Sequence, residues 1–347
     1  MKSRVREIWT LAEASGDGIN PVSYEVLARG VELKAKLDEI AEAKVVAVLL
    51  ARSLDDDAVR TLVHYGADEV LYVRDERLAD FLVQNTASIL TDLAGERKPE
   101  IFLAAATTYG RTIMPYVSVR LNAGLTADCT VLDIEPESGL LLQTRPAIGG
   151  NILATIKTES ARPQMATVRP HSTRVLPPDV SRAGLVTQIL PDDRHFRSRV
   201  KFIRFESTSD DEMPISEARK VVSGGRGIGK AENMALVHEL AEALDAGVGA
   251  SREAVDRGWI SYPHQVGLSG KTVTPDLYLA LGISGSIQHL AGMQTAEHIV
   301  AINSDPDAQI FKVADMGIVG NLFDVVPVLI EKIRRARRAD SQECRTA

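Results

Sequence analysis

The residues of this 347-residue chain that are best suited to chemistry are glycines, small hydroxyl residues and amides that follow predicted strands. They occur at residues 223–227, 251–252, 282–286 and 303–306 and at Asn321. In open α/β sheets, ligands bind outside the carboxyl ends of the strands. Glycines let the backbone approach a ligand closely, and free N–H groups at helix starts attract anions. Together with the fixed positive charge of Arg226, this pattern predicts a large phosphate-bearing ligand.

Each of these segments has a plainer interpretation when it is taken alone. The Gly-Gly-Arg-Gly turn at 224–227 is neither a Walker A loop nor the dinucleotide fingerprint, and such a turn most often only joins a strand to a helix. Arg252 alone would be a surface ion-pair residue, His289 a partly buried histidine, and residues 267–270 a simple loop. Their coincidence along five strand ends favours a binding site.

Alternating strands and helices predict how these segments are positioned. In the first half, strands are predicted at 45–50, 69–73 and 101–105, with a helix over 78–93. Four short strands follow, at 130–135, 140–144, 153–157 and 165–169, and their weak period-2 pattern leaves the pairing direction open. In the second half, strands at 220–222, 246–250, 278–281, 299–302 and 317–320 alternate with helices, and a closing helix covers 323–333. The pattern predicts an α/β protein, with an N-terminal nucleotide-binding-like domain and a C-terminal doubly wound parallel-sheet domain.

Composition narrows the classes of function. The net charge of −7 disfavours a nucleic-acid partner. Two cysteines, Cys129 and Cys344, provide neither metal spacing nor a disulfide framework, so a reducing cytoplasmic compartment is expected. No run approaches the ~20 apolar residues of a membrane helix, and the N-terminus lacks a signal-peptide core. We therefore expect a cytoplasmic protein with no membrane insertion, no metal site and no nucleophile–base pair.

A polar stretch over 190–214 predicts the domain boundary near Thr208. The predicted division is 1–207, then 208–333, then a basic tail at 334–347.

Six segments carry a resemblance to a known family. They read Val-Ser-Gly-Gly-Arg-Gly at 222–227, Val-Gly-Ala-Ser-Arg at 248–252, Gln-Val-Gly-Leu-Ser-Gly-Lys at 265–271, Gly-Ile-Ser-Gly-Ser-Ile-Gln-His-Leu-Ala-Gly-Met at 282–293, Ile-Val-Ala-Ile-Asn at 299–303, and Val-Ala-Asp at 313–315 with Gly-Ile-Val at 317–319. In this order and spacing they resemble the α subunit of electron-transfer flavoproteins, in its prokaryotic branch. The resemblance extends to the first half through Pro-Val-Ser at 21–23, Gly-Leu-Thr-Ala-Asp at 124–128 and Arg-Pro-Ala-Ile-Gly-Gly-Asn at 145–151.

The resemblance implies a first domain that contacts a β subunit and a second domain that holds FAD. Three residues would tune the flavin. Arg252 would lie beside the isoalloxazine ring, the Ser269 hydroxyl would face N5, and His289 would face the pyrimidine end. Position 269 is often Thr in the family, and serine keeps the hydroxyl.

The resemblance also assigns the remaining contacts with FAD. Arg226 and Ser286 would lie near the pyrophosphate, Asn303 would serve the adenosine half, and Asn321 would lie nearby although the family pattern has Asp there. The other implied contacts are Ser251, Val266, Gly267, Leu268, Ser284, Gly285, Ile287, Gln288 and Leu322.

Three functions remain open at this point. The first is a single-FAD carrier that works as a heterodimer with the β subunit in fatty acid β-oxidation, taking electrons from flavoprotein dehydrogenases such as acyl-CoA dehydrogenase and passing them to ferredoxin or a quinone-reducing acceptor. The second is the α subunit of an NADH-dependent electron-bifurcating complex that reduces ferredoxin. The third is an α/β nucleotide-binding protein with no redox role, which flavin colour in the purified complex would eliminate.

Overall fold

The computed structural model describes residues 5–16, 18–146, 152–204, 215–216 and 218–346, with side chains described as far as Arg337. The chain divides into two compact units, Met1–Phe205 and Glu206–Ala347. Two features singled out in the sequence lie outside the described residues: the end of the 145–151 motif and the predicted boundary near Thr208.

The first unit alternates strands with helices over most of its length. Its strands are β1 (Arg6–Ala12), β2 (Ala14–Ser15), β3 (Gly18–Ile19), β4 (Ala43–Ala51), β5 (Glu69–Arg74), β6 (Ile101–Ala105), β7 (Leu125–Cys129), β8 (Val131–Ile134), β9 (Leu141–Pro146), β10 (Leu153–Lys157), β11 (Gln164–Val168) and β12 (Leu185–Ile189). Its helices are α1 (Val22–Leu37), α2 (Asp56–His64), α3 (Val83–Arg97) and α4 (Thr108–Arg120).

A seven-stranded sheet forms the centre of this unit, in the order β12-β5-β4-β1-β6-β11-β7, and every pairing in it is parallel. Central strands that are buried on both faces are mostly apolar. Trp9 and Phe102 are fully buried there, and their rings meet edge to face with centroids 5.5 Å apart. The predicted α/β class is therefore confirmed.

A small sheet settles the pairing that the sequence left open. Strands β8, β9 and β10 form an antiparallel three-stranded sheet, whereas β11 joins the large parallel sheet.

The helix predicted over 78–93 is displaced in the structure. A short 3₁₀ turn at Glu76–Leu78 precedes it, the chain is extended at Leu82, and α3 begins only at Val83. The cause is local, because the Asp75 carboxylate accepts a hydrogen bond from the Arg77 N–H and so caps the short turn separately.

Four charged side chains cluster at the amino ends of β1, β4 and β5. Arg97 donates to Glu7 at 2.8 Å and to Glu69 at 2.7 Å, and Lys44 reaches the same two carboxylates. Although burial acts to raise it, the hydrogen bonds from Arg97 and Lys44 lower the pKa of Glu69 to about 2. The cluster neutralises two carboxylates that are almost removed from water.

The second unit is a smaller parallel α/β fold. Its strands are β13 (Lys220–Gly224), β14 (Gly247–Ala250), β15 (Leu277–Leu281), β16 (His298–Asn303) and β17 (Met316–Val319). Its helices are α5 (Met234–Leu244), α6 (Arg252–Asp256), α7 (Ile287–Leu290) and α8 (Leu322–Thr346). Helix α8 continues past Ile333, where the sequence had placed the start of a separate tail, and Arg334 and Arg335 are exposed on it.

The strand order of this unit determines where a ligand can bind. The sheet runs β14-β13-β15-β16-β17, with all pairings parallel. The chain passes from β13 to one neighbour, β14, and then crosses to the other, β15. The switch point therefore lies between β13 and β15, and doubly wound sheets bind ligands at the carboxyl ends there. Across the described residues, no helix combines the length and apolar composition that crossing a bilayer requires.

Candidate functional site

A cleft of about 670 Å³ opens at the carboxyl ends of the strands in the second unit. This volume is in the range of small-molecule and cofactor sites. The residues predicted from the sequence that line it are Arg226, Ser251, Arg252, Val266, Gly267, Leu268, Ser269, Ser284, Gly285, Ser286, Gln288, His289 and Asn303. They come from the ends of four neighbouring strands and from the loop that precedes β15.

Glycines bring the two loops at the switch point into direct contact. The Gly225 N–H donates to the Leu281 carbonyl at 2.8 Å, and the Gly227 N–H donates to the Gly282 carbonyl at 2.9 Å. A Cβ at Gly227 would lie 2.7 Å from the Gly282 Cα, so any side chain there would force the loops apart. The exposed side chain of Arg226 is carried on this turn, at the edge of the cleft.

Part of the cleft is suited to an anion. The N–H groups of Ser284, Gly285 and Ser286 have no acceptor among the described residues, and Gly285 has a φ of 82°. Successive free N–H groups in a turn form a concave anion site. Arg226 makes no ion pair within the described part of the chain, so its charge is available to the same ligand. This arrangement fits a pyrophosphate.

The loop that lines the opposite wall is held by backbone hydrogen bonds. The Val266 N–H donates to the Ala250 carbonyl at 2.9 Å, and the Leu268 N–H donates to the Gln288 carbonyl at 2.7 Å. Gly267 has a φ of 142°, and a Cβ there would lie 2.9 Å from the Gln288 oxygen. The loop is thus fastened to the end of β14 and to α7.

The Ser269 side chain is oriented by the buried side-chain amide of Gln265. Gln265, which is 4% exposed, donates from Nε2 to the Ser269 Oγ at 3.1 Å. The Tyr262 hydroxyl donates to the Ser269 carbonyl at 2.9 Å. Because Gln265 occupies a lone pair of the hydroxyl, its proton is left to donate elsewhere.

His289 is buried, and its Nε2 lies 3.0 Å from the Tyr278 hydroxyl oxygen. Burial lowers the pKa of His289 to about 4, against a smaller opposing effect of the Val266 backbone. The imidazole is therefore neutral at pH 7 in this structure and acts as a hydrogen-bonding group without a charge. Its Nδ1 is buried and has no hydrogen-bond partner among the described residues.

Arg252 and Ser251 lie together at the start of α6. The Arg252 guanidinium is exposed and pairs with Asp256, with 3.2 Å between Nε and the carboxylate. The Ser251 Oγ is buried and has no partner within the described part of the chain. Arg252 thus places positive charge at the rim of the cleft, held by a weak surface pair that a ligand can replace.

Three predicted residues are not brought into the cleft lining. Ile287 is 76% exposed on α7. Leu322 packs in the apolar core of the unit, and the Asn321 side chain accepts from the Phe323 N–H at the start of α8. Asn303 lines the cleft, but its amide donates to the Ile283 carbonyl and accepts from the Asp305 N–H, so it connects two strand-end loops.

Other lining residues were given no individual contact in the sequence analysis. Five of them, Gly227, Gly282, Ile283, Ser304 and Asp305, lie within the strand-end segments that the sequence singled out. Glu253, Asp256 and Gln265 lie outside those segments. For Gln265, only the contact with Ser269 shows its part in the site.

The geometry fits a dinucleotide such as FAD. Among the residues that the structure describes, the N–H groups and the arginine at one end of the cleft have no partner, and neither do buried polar atoms of Ser251 and His289 elsewhere in the site. Within the described ranges, no three His, Cys, Asp or Glu side chains are grouped to hold a metal ion. The residues that would hold FAD are therefore those of the four strand-end loops and the 265–269 loop.

Comparison with known proteins agrees with this geometry. The electron transfer flavoprotein domain matches residues 8–193, and the electron transfer flavoprotein FAD-binding domain matches residues 214–294.

Relatives align over nearly the whole chain. The electron transfer flavoprotein subunit alpha of Thermoanaerobacterium thermosaccharolyticum is 45% identical over 332 residues, covering 96% of this chain and 99% of that protein. The protein of the same name from Clostridium acetobutylicum is 42% identical, covering 96% and 99%. LctC, a subunit of lactate dehydrogenase (NAD(+),ferredoxin) from Acetobacterium woodii, is 38% identical, covering 96% and 78%. The chain belongs to the electron-transfer flavoprotein α-subunit family, and its second unit is an FAD-binding domain.

Proposed function

We propose that this chain pairs with a β subunit and carries electrons on one FAD between flavoprotein dehydrogenases, such as acyl-CoA dehydrogenase, and an acceptor. The observation that supports the proposal is the cleft at the β13/β15 switch point, which combines an anion cradle with buried, unpartnered polar atoms. A role in fatty acid β-oxidation and a cytoplasmic location belong to this proposal.

The bound FAD supplies the redox chemistry, and the chain supplies its surroundings. Arg226 and the free N–H groups at 284–286 hold the phosphates. Because reduction adds negative charge to the pyrimidine end of the ring, a hydrogen-bond donor or a cation there favours reduction. His289 fills the first role as a neutral imidazole, and Arg252 the second from the cleft rim. Ser269 would offer its hydroxyl proton to the flavin ring.

The test of the cofactor assignment is direct. The α–β complex is purified and desalted, and its flavin absorbance is compared with its protein content. We expect one FAD per chain in the wild-type complex and less than one FAD per chain in the Arg226→Ala variant. A complex whose second unit holds no flavin would refute the proposal.

The first unit is proposed to provide the contact with the β subunit. At the β1/β6 switch point of this unit, the Thr107 hydroxyl donates to Glu13 Oε1 at 2.6 Å, so these two polar side chains already bond each other. Light scattering after size exclusion should show a heterodimer when the β subunit is supplied. A flavin-loaded monomer that passes electrons unaided would contradict this role.

A second function is favoured by one relative. LctC is named as part of an enzyme that uses NAD(+) and ferredoxin, and it is 38% identical to this chain. The alternative is thus an NADH-dependent bifurcating complex that reduces ferredoxin. Ferredoxin reduction by the complex with NADH and an electron-accepting substrate separates the two: activity supports bifurcation, and its absence with intact dehydrogenase coupling supports the simple carrier.

A further inference from the structure

His289 contacts a tyrosine, Tyr278, that is fully buried. Tyr278 lies on β15 and is 0% exposed, and its hydroxyl oxygen is 3.0 Å from His289 Nε2. The ring centroids are 6.1 Å apart. Tyr278 does not line the cleft, so it can act on a ligand there only through the histidine.

The direction of this hydrogen bond determines the tautomer of the histidine. A neutral imidazole carries one proton, so Nε2 either donates to the phenol or accepts from it. Burial raises the pKa of Tyr278, and the phenol therefore keeps its own proton, which needs an acceptor. Of the described atoms, only His289 Nε2 makes a hydrogen bond of good geometry with the phenol. The Ser223 side chain acts on Tyr278 as well and lowers its pKa against the effect of burial, but the Ser223 Oγ makes no hydrogen bond.

The other ring nitrogen is the one left for a ligand. His289 lines the cleft, and its buried Nδ1 has no hydrogen-bond partner among the described residues. A proton held at Nδ1 therefore has no acceptor within the described part of the chain and remains available to a bound group.

We propose that Tyr278 is a positioning residue: its O–H donates to His289 Nε2 and holds the imidazole proton on Nδ1, so that the histidine presents an N–H donor to the FAD site. The tautomer stands on the contacts within this chain. Its effect on the flavin rests on the proposed role of His289.

The test uses the complete α–β complex labelled with ¹⁵N-histidine. Long-range ¹H–¹⁵N spectra distinguish the protonated from the bare ring nitrogen, and the His289 signals are identified by their loss in His289→Gln. We expect wild type to carry the proton on Nδ1 with Nε2 bare. In Tyr278→Phe, the two ¹⁵N shifts should converge as the tautomers mix, and the first one-electron potential should fall. A tenfold loss of preference for the reduced ring corresponds to about 59 mV.

Tyr72→Phe is the matched control, since Tyr72 is a buried tyrosine of the first unit whose oxygen accepts from the Leu54 N–H at 2.7 Å. It should lower stability without moving the His289 signals or the potential. A wild-type His289 protonated on Nε2 would overturn the inference even if Tyr278→Phe failed to fold. So would a folded Tyr278→Phe with unchanged ¹⁵N shifts. Converging shifts with an unchanged potential would leave the tautomer assignment intact and refute the proposed role of His289 at the flavin.

Discussion

Replacing Ser269 with alanine separates the tuning of the flavin from the folding of the loop. The hydroxyl accepts from Gln265 Nε2 at 3.1 Å, and its own proton is free for the ring. The variant therefore loses a donor to flavin N5 and leaves the buried Gln265 amide without this partner.

The lost hydrogen bond to the flavin should change the redox potentials, whereas the unpaired Gln265 amide should lower the stability. A neutral hydrogen bond contributes about 1 kcal/mol, which for one electron corresponds to about 40 mV. The Ser269 hydroxyl would donate best to a half-reduced ring, so Ser269→Ala should lower the first potential by about that much. Because Gln265 already donates to this hydroxyl, the hydroxyl would be a poor acceptor for a fully reduced, protonated ring, and the second potential should rise. The unpaired amide should cost ~1–3 kcal/mol of stability.

Spectroelectrochemical titration gives both potentials, and a thermal melt of each complex gives the stability. Ser269→Thr keeps the hydroxyl and should behave nearly as wild type. Gln265→Met keeps the volume but frees the hydroxyl to turn, and it should reproduce part of the shift. If Ser269→Ala lowers the melting temperature and leaves both potentials unchanged, the serine is structural and the assignment is wrong.

Three further predictions concern retention of the cofactor and the dependence of stability on pH. Arg226→Ala removes a charge-assisted contact of ~1.5–3 kcal/mol, so FAD should dissociate about ten- to a hundredfold more readily, as equilibrium dialysis would show. Arg97→Met leaves Glu7 and Glu69 buried with Lys44 alone and should cost ~3–5 kcal/mol in urea unfolding. For His289, the pKa of about 4 lies below the unfolded value of 6.5, so the unfolded state binds the proton first. The apoprotein should lose about 3 kcal/mol as the pH falls from 6.5 to 4, and His289→Gln should lack this loss.

Each of these predictions has a matched control. Lys230→Ala removes an exposed cation four residues from Arg226 and should leave FAD binding unchanged. Lys36→Met breaks a half-exposed ion pair with Asp133 and should cost less than ~1 kcal/mol. His238→Gln replaces an exposed histidine of the same unit and is the control for His289→Gln. Equal effects in any variant and its control would show that general charge, and not the described contact, is responsible.

Acid unfolding gives a second check on the charged cluster. Because the pKa of Glu69 is held to about 2, below its model-peptide value of 4.5, its contribution is present above pH 4.5 and is lost as the pH falls toward 2. Arg97→Met should remove much of this slope. A variant with the wild-type slope would mean that Lys44 alone holds the carboxylate.

The sequence was most informative where strands are buried on both faces. Strands β4, β6 and β16 appear as nearly uninterrupted apolar runs because their side chains are buried on both faces. Strand β1 was missed because it begins with Arg6 and Glu7, and the Glu7 charge is neutralised by Arg97 and Lys44, which lie far away in the sequence. The turn capped by Asp75 was also missed. The apolar residues keep a helical spacing through it, so the sequence pattern does not show where the turn ends and α3 begins.

For the site, glycines and hydroxyl residues at strand ends were enough to predict most of the cleft lining. The residues that contact the lining side chains were not predictable from the sequence. Gln265 and Tyr278 act through contacts with Ser269 and His289 that depend on the distance between side chains in the folded unit and not on any spacing in the sequence. Ile287, which the family resemblance placed at the FAD, faces solvent in the structure.

The fastening of the 265–271 loop has a consequence for the speed of electron transfer. Its backbone is hydrogen-bonded to Ala250 and Gln288, and its own ends are joined by the bond from the Lys271 N–H to the Gln265 carbonyl at 2.7 Å. A loop that is held by several hydrogen bonds moves little when the charge of a neighbouring group changes. Its backbone dipoles are already oriented and need not reorient. Such a loop would keep the reorganisation energy of a flavin bound beside it small, which favours fast electron transfer.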